Sequence, residues 1–353
     1  MSIWNKFLEG RYSHFIFIGI IFLVLAISFF DIAFRNFVPR ASDSEQWRAS
    51  AQVIMEYNQK NDDQALWNPN IFSGMPSYLI SFGAKYPFIN EIKNITDKVI
   101  NWRVLLLFMA GLGVYVLMTY LGFEPIVATI TALAFALSTH FQGLIEIGHN
   151  TKFKAIIYIP WIMWALLLLK NKKNVLSLAL ISIMMIGQIR ENHPQITYYT
   201  FLMVGIYWIS TLIFSIKDKK MILFLKFTGM LAIAFILTFM AVSHPFLSVY
   251  EYGNYTIRGG STGLDTEYAT SWSFHPFEMV TFLAPNFFGG VAPNYWGWMP
   301  FTQTSMYMGG FIFLLALVGI FGYFKRNRLV GVLTIVSVFS LLLAFGKHLK
   351  FLS

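Results

Sequence analysis

The sequence predicts an all-α protein that crosses a membrane about nine times. Three observations carry that prediction: more apolar surface than one soluble core can hide, apolar runs near the length of a membrane span, and clusters of basic residues in tight connections that all fall on one side. Hydrophobic residues make up 56% of the chain and charged residues only 12%, against about 25% charge in an ordinary soluble domain. The 36 Phe, 17 Tyr and 10 Trp find their natural solvent in a bilayer. The same composition excludes a disordered chain. With Cys 0, it also excludes disulfides, thiolate catalysis and cysteine-held zinc or iron–sulfur sites.

The first run, residues 14–34, follows Lys6 and Arg11 and contains a weak signal-cleavage site at Ala26-Ile27-Ser28. Apolar character continues past that site through Phe29, Phe30 and Phe34 to Phe37, which favours a retained anchor over a removable signal. Further runs cover 103–121, 126–145, 155–169, 175–189, 197–215, 221–243, 305–324 and 329–346. Those at 155–169 and 175–189 are short and joined only by Lys170-Asn171-Lys172-Lys173-Asn174, so one of them is open to being tilted or re-entrant. Uniform apolarity without period-two alternation selects helices over a β-barrel. The whole chain, 1–353, reads as one integral membrane domain.

With the N-terminus in the cytoplasm, the inner loops are 1–12, 122–125, 170–174, 216–220 and 325–328. Lys6 and Arg11, then Lys170, Lys172 and Lys173, then Lys217, Lys219 and Lys220, then Lys325, Arg326 and Arg328 all fall there, as the positive-inside rule requires. The net charge of +9 thus reports topology, and nucleic acid is not needed as a partner to explain it. The outer face receives two long segments, 35–102 and 244–304, and two short ones, 146–154 and 190–196. Of the 17 acidic residues, all but Glu9, Glu124 and Asp218 lie on or beside that face. His140, His149, His193, His244, His275 and His348 lie there too, so chemistry is expected outside. No Walker loop, dinucleotide fingerprint or internal repeat interrupts the pattern.

Residues 42–58 place Trp47, Ala51, Ile54 and Asn58 at helical spacing, which predicts an interfacial amphipathic helix opened by a capping box from Ser42 to Glu45. Asp43 then sits in the first turn. Two roles fit it there: a carboxylate favoured by the helix dipole, or a general base held at the membrane surface. The following stretch, Leu66 to Pro76, is rich in turn residues, and Trp67 and Phe72 are suited to dip into the interface or to stack on a sugar ring. Asp31 reads as the partner of Arg35 one turn later.

Several ordered segments resemble the bacterial YfhO-type membrane proteins, a family with the GT-C glycosyltransferase architecture. They are Trp67-Asn68-Pro69 through Gly74-Met75-Pro76, Gly148-His149-Asn150-Thr151-Lys152, Asn192-His193-Pro194-Gln195-Ile196-Thr197-Tyr198-Tyr199, Arg258-Gly259-Gly260, and Pro285-Asn286-Phe287-Phe288-Gly289-Gly290 with Tyr295-Trp296-Gly297. The similarity covers essentially the whole chain. Members of that family are usually longer, which identifies this sequence as an amino-terminal portion or a short form.

The resemblance implies a GT-C-like enzyme of the bacterial inner membrane. It would move a sugar from a polyprenyl-phosphate carrier to an extracytoplasmic cell-envelope glycan or lipid acceptor, without ATP or a required metal. Asp43 matches the family's first-loop acid and takes the role of base, with inversion at the sugar. His149, Asn150, Lys152 and Lys154 after the third run, and Arg190, Asn192 and His193 after the fifth, stand where a lipid phosphate would present its oxygens. Lys154 equally suits contact with ordinary lipid phosphates, and Arg190 a local pair with Glu191. Glu146 lies three residues before His149; on a continuing helix the two share a face, where the acid would orient the imidazole or help a metal. In the last large loop Arg258, Asp265, Glu267, His275 and Glu278 lie among Tyr and Trp residues, which suits saccharide binding or a plain folded lid, and His275 with Glu278 is too small a ligand set for a metal site. Two rival readings remain: a transporter or flippase of a lipid-linked sugar, and a noncatalytic, truncated membrane protein. Transport would favour ionisable or helix-breaking residues at midplane and an internal repeat, whereas this chain puts nearly all its ionisable residues at the outer ends and shows no repeat.

Overall fold

Apolar helices dominate the computed structural model, which describes residues 11–35, 37, 39–61, 63–80, 96, 98–256, 266–289, 293–300 and 306–349. In chain order the helices are α1 (Arg11–Ser28), α2 (Phe30–Phe34), α3 (Ser42–Asn61), α4 (Trp102–Tyr120), α5 (Pro125–Ala136), α6 (Thr139–Ile147), α7 (Asn150–Lys172), α8 (Val175–Arg190), α9 (Pro194–Lys217), α10 (Met221–Gly253), α11 (Thr266–Thr270), α12 (Gly310–Tyr323) and α13 (Arg328–Phe345). Between α3 and α4 lies a hairpin of two short strands, β1 (Trp67–Asn68) and β2 (Met75–Pro76). Among the described residues six stretches are long and apolar enough to cross a membrane: Trp102–Tyr120, Pro125–Ile147, Asn150–Lys172, Pro194–Lys217, Met221–Ser243 and Arg328–His348. The chain is therefore a predominantly helical, multi-pass membrane protein.

Three of the expected runs form shorter apolar helices, at Ser13–Ser28, Val175–Arg190 and Gly310–Tyr323. A 16-residue helix spans about 24 Å, less than the roughly 30 Å of hydrocarbon. The run at 14–34 is interrupted at Phe29 (φ −117°, ψ 36°), and the run at 126–145 breaks between α5 and α6 at Leu137 and Ser138. The run at 155–169 proves longer than expected, because the polar residues from Asn150 onward continue its helix to 23 residues with Pro160 inside. Neighbouring helices let a membrane helix tolerate such a proline. Helix starts are set by polar caps. Asn101 accepts from the Arg103 amide, Asn174 and Ser177 form a capping box, and Asn327 accepts from Leu329 and Val330. The box expected from Ser42 to Glu45 does not form: the helix begins one residue earlier, the Glu45 amide donates to the Ala41 carbonyl, and the Ser42 hydroxyl turns to Asp43.

Two cores meet along α7. One joins α1, α4, α5 and α6 to it through Ile21, Leu25, Ala110, Ala132, Phe141 and Phe153; the other joins α8, α9, α10 and α13 through Leu166, Ile181, Met185, Val204, Phe227 and Val332. Helices in lipid gain little from apolar burial, so close backbone approach matters. Ala128, Ala132 and Ala136 of α5 are fully buried where α4 runs past with Gly111, and Gly113 of α4 faces α7. A Cβ on Gly113 would stand 2.6 Å from Trp161 Nε1, which already donates to the Met109 carbonyl at 3.0 Å. Gly113→Ala is expected to lower stability by about 1–3 kcal/mol through overpacking. Gly205→Ala, where nothing lies within 4 Å of the added atom, should be neutral or slightly stabilising. Equal melting temperatures for the two purified variants would refute this packing. The outer surfaces of α10 and α12 carry exposed Ile222, Met240, Phe311 and Phe321, and α12 has no buried residue, as a lipid-facing helix requires.

The bundle has two chemically distinct ends. His14 Nδ1 lies 2.8 Å from Tyr115 Oη, which sets the start of α1 beside the last turns of α4. At that same end Asn171 donates to Tyr120 Oη at 2.9 Å, and Leu121, Lys170, Lys173, Asp218, Lys220 and Arg328 line one cavity. The short basic turns thus converge on one end with the start of α1, as the charge pattern predicts. The opposite end collects α3, the hairpin, the α6–α7 and α8–α9 turns and the last large loop. There Tyr78 Oη donates to the Ser248 carbonyl at 3.3 Å, and Thr139 Oγ1 to the Tyr307 carbonyl at 3.1 Å.

Candidate functional site

The site forms where the first turn of α3 meets the α6–α7 turn. Asp43 stands in that first turn, as the sequence predicts. Helix α6 stops because Gly148 adopts φ +91°, a left-handed conformation that costs glycine little and reverses the chain. His149 then becomes the residue before α7, and its side chain does not cap its own helix. Its Nε2 instead lies 2.8 Å from Asp43 Oδ2. The imidazole is 29% and the carboxylate 38% exposed, so the pair is accessible yet partly shielded. Ser42 donates to the other carboxylate oxygen, Oδ1, at 3.3 Å.

The two elements are locked together beside the pair. Asn150 Nδ2 donates to Ser44 Oγ at 3.2 Å, while Asn150 Oδ1 is buried with no hydrogen-bond partner. A Cβ on Gly148 would lie 2.5 Å from Ser44 Oγ and 2.7 Å from Ala41 Cβ. Only glycine lets α3 approach this turn so closely. Helix N-termini of α3 and α7 both face the region, and each carries a partial positive charge.

Basic side chains gather beside the pair. His140 and His193 each lie within electrostatic reach of both Lys152 and His149. His193 Nδ1 accepts from the Ile196 amide at 3.3 Å, which leaves Nε2 as the position for the proton and as a donor in the neutral ring. Burial, then Lys152 and His149, hold the His193 imidazolium below its usual pKa. Lys154 pairs with Glu191 at 3.8 Å and stands over the Trp102 ring at 5.3 Å. Glu191 therefore answers Lys154 in addition to lying beside Arg190 in sequence; burial pushes its carboxyl up, and Lys154 opposes that. Arg190 is exposed at the end of α8.

Other sequence-predicted residues are placed elsewhere. Glu146 is exposed on α6 and shares no helix with His149, because Gly148 ends the helix between them; the acid that meets the imidazole is Asp43. Trp67 stands on the hairpin, its ring against Gly74, and is 53% exposed. His275 caps its own turn by accepting from the Phe277 amide, stacks on Trp298 at 3.9 Å, and donates its backbone amide to Glu278 Oε2. Glu278 is buried and also holds Tyr295, whose hydroxyl is pushed up to about 12 by burial and by that carboxylate. These two residues hold the last loop in shape. Arg258 and Asp265 lie outside the described residues. Arg35 donates to Asp31 at 3.0 Å, the pairing that their spacing predicts.

One member of the site escapes a reading of the sequence: Ser44 gives no signal beyond being next to Asp43. His140 is legible as an outer-face histidine within the 126–145 run, but nothing local says that it meets His149 and Lys152. Among the described residues no group of three or more His, Asp or Glu side chains is arranged to hold a metal ion. Compared with protein-family models, curated proteins and solved structures, the chain finds no match in any of the three.

Proposed function

We propose that the protein is a GT-C-like glycosyltransferase related to the YfhO-type proteins that its motifs resemble. It crosses a bacterial cytoplasmic membrane nine times, with α1, α8 and α12 accommodated by tilt and local thinning. Its N-terminus and basic turns face the cytoplasm, and the Asp43 end faces outward. The substrate is a sugar on a polyprenyl phosphate, and the acceptor is a hydroxyl of a cell-envelope glycan or lipid.

The Asp43–His149 pair carries this reading, for it sets a partly exposed carboxylate against an imidazole beside Lys152 and His193. His149 engages Oδ2 and orients the carboxylate, while Oδ1, which accepts from Ser42, keeps a second lone pair for an incoming hydroxyl. As that hydroxyl oxygen attacks the anomeric carbon, its proton passes to Asp43. The bond from carbon to phosphate oxygen breaks with its electrons going to the phosphate. Lys152, the Nε2–H of His193 and the α7 N-terminus offset the charge that develops there. Attack opposite the leaving phosphate inverts the sugar. No nucleotide is needed, because the lipid phosphate is itself the leaving group.

The test is transfer of a radiolabelled sugar from polyprenyl phosphate to envelope acceptors in membranes that carry the protein, read beside a vesicle assay for movement of the same lipid across the bilayer. Transfer without transbilayer movement upholds the enzyme, and movement without transfer assigns a flippase. Lys152→Met is expected to raise the donor KM about 10- to 100-fold, the worth of a charge-assisted contact. Arg190→Ala should raise it less, because Arg190 is exposed. An unchanged donor KM in the Lys152 variant would remove Lys152 from the phosphate site.

A further inference from the structure

We infer that the basic end of the bundle holds a second binding site, for the phosphate of an anionic phospholipid together with the first methylenes of its chains. A cavity of about 530 Å³ opens between the ends of α7, α9, α10 and α13. Its volume lies within the roughly 300–1,000 Å³ range of small-ligand sites. Lys170, Lys173, Lys220 and Arg328 line it as cations, and Asp218 is the only carboxylate among its lining residues.

That carboxylate is already engaged. Arg328 forks onto Asp218, with Nη2 2.8 Å from Oδ1 and Nη1 on Oδ2, and this holds the Asp218 carboxyl below its usual pKa. The three lysines keep donors to spare. Lys170 Nζ donates to Tyr207 Oη at 3.1 Å and Lys173 Nζ donates to the Lys170 carbonyl, while an ammonium has three protons to give. Below the charges the wall turns apolar, with Leu167, Phe224, Phe227 and Val332.

The positive-inside rule accounts for lysines in these turns, but it asks only for charge at the surface. It does not ask that three separate turns enclose one volume with a cationic rim and an apolar floor. A free phosphate would use the rim and leave the floor bare, whereas a phospholipid uses both. The site lies at the opposite end from Asp43 and His149 and stands or falls independently of the proposed reaction.

The experiment is thermal unfolding of the full chain in a neutral detergent with dioctanoyl phosphatidylglycerol, dioctanoyl phosphatidylcholine or sodium phosphate at matched concentration. A ligand that binds only the folded state raises the midpoint. Phosphatidylglycerol should raise it by at least about 3 °C, and phosphatidylcholine much less. Replacing the lysines together (Lys170→Gln, Lys173→Gln, Lys220→Gln) should abolish the difference between the two lipids, and the same three positions as Arg should keep it. If the triple Gln protein does not fold, Lys220→Gln alone, at an exposed turn position, should at least halve the shift. A rise from sodium phosphate equal to that from the lipid would uphold the anion site and assign it to a soluble phosphorylated ligand. Equal rises from the two lipids, or a full phosphatidylglycerol shift in the Gln variants, would overturn the site.

Discussion

Asp43→Asn is expected to reduce sugar transfer at least 100-fold, within the roughly 10²- to 10⁴-fold contribution of a positioned acid or base. The substitution keeps the shape of the side chain and an oxygen to accept from His149, but it removes the group that takes the proton. Its structural cost is small, because Asp43 is 38% exposed and lies in the first turn of a helix. Loss of a carboxylate near a helix N-terminus costs about 0.3–1 kcal/mol. Abundance in the membrane and melting temperature should therefore stay near those of the parent while kcat collapses. His149→Gln should fall less, since it removes the partner that orients the carboxylate and leaves the base in place. Full transfer by the Asn variant would end the assignment of Asp43, and equal losses of activity and of folded protein would turn the residue into a structural one.

Gly148→Ala is expected to lower both stability and transfer activity. Two costs act at once. Alanine resists φ +91°, and its Cβ would press on Ser44 Oγ and Ala41 Cβ. Backbone strain of this kind costs about 1–3 kcal/mol, and overpacking against a closely seated neighbour costs a similar amount. Gly122 separates the two: it has φ +88° with nothing within 4 Å of an added Cβ, so Gly122→Ala carries only the strain. The Gly148 variant should melt lower than the Gly122 variant, and it alone should lose transfer activity, because moving α3 by even an ångström breaks the 2.8 Å contact between Asp43 and His149. Equal melting temperatures with activity intact in both would show that this turn does not position Asp43.

Much of this protein is determined by sequence features that act over short distances. A run of apolar residues near 20 long needs no knowledge of the rest of the chain to prefer lipid, and a cluster such as Lys217, Lys219 and Lys220 marks its own side of the membrane. Asp43 is legible for the same reason, since its place in a first helical turn depends on the residues just around it. Boundaries were less legible: the 155–169 run became part of a 23-residue helix because neighbouring turns let polar residues continue it.

The candidate site was only half legible. Spacing joined Glu146 to His149 on an assumed continuous helix, but Gly148 ends that helix and turns the imidazole to Asp43, more than a hundred residues earlier in the chain. His140 joins the site from α6, Lys152 from α7 and His193 before α9, so no single stretch contains the arrangement. At the other end the basic turns were each visible, yet the cavity that they enclose was not. Hydropathy and charge set, residue by residue, which medium a segment prefers. Which side chains meet depends on the packing of several helices against one another, and that packing is decided by close approaches, such as the one at Gly148, that no local stretch contains.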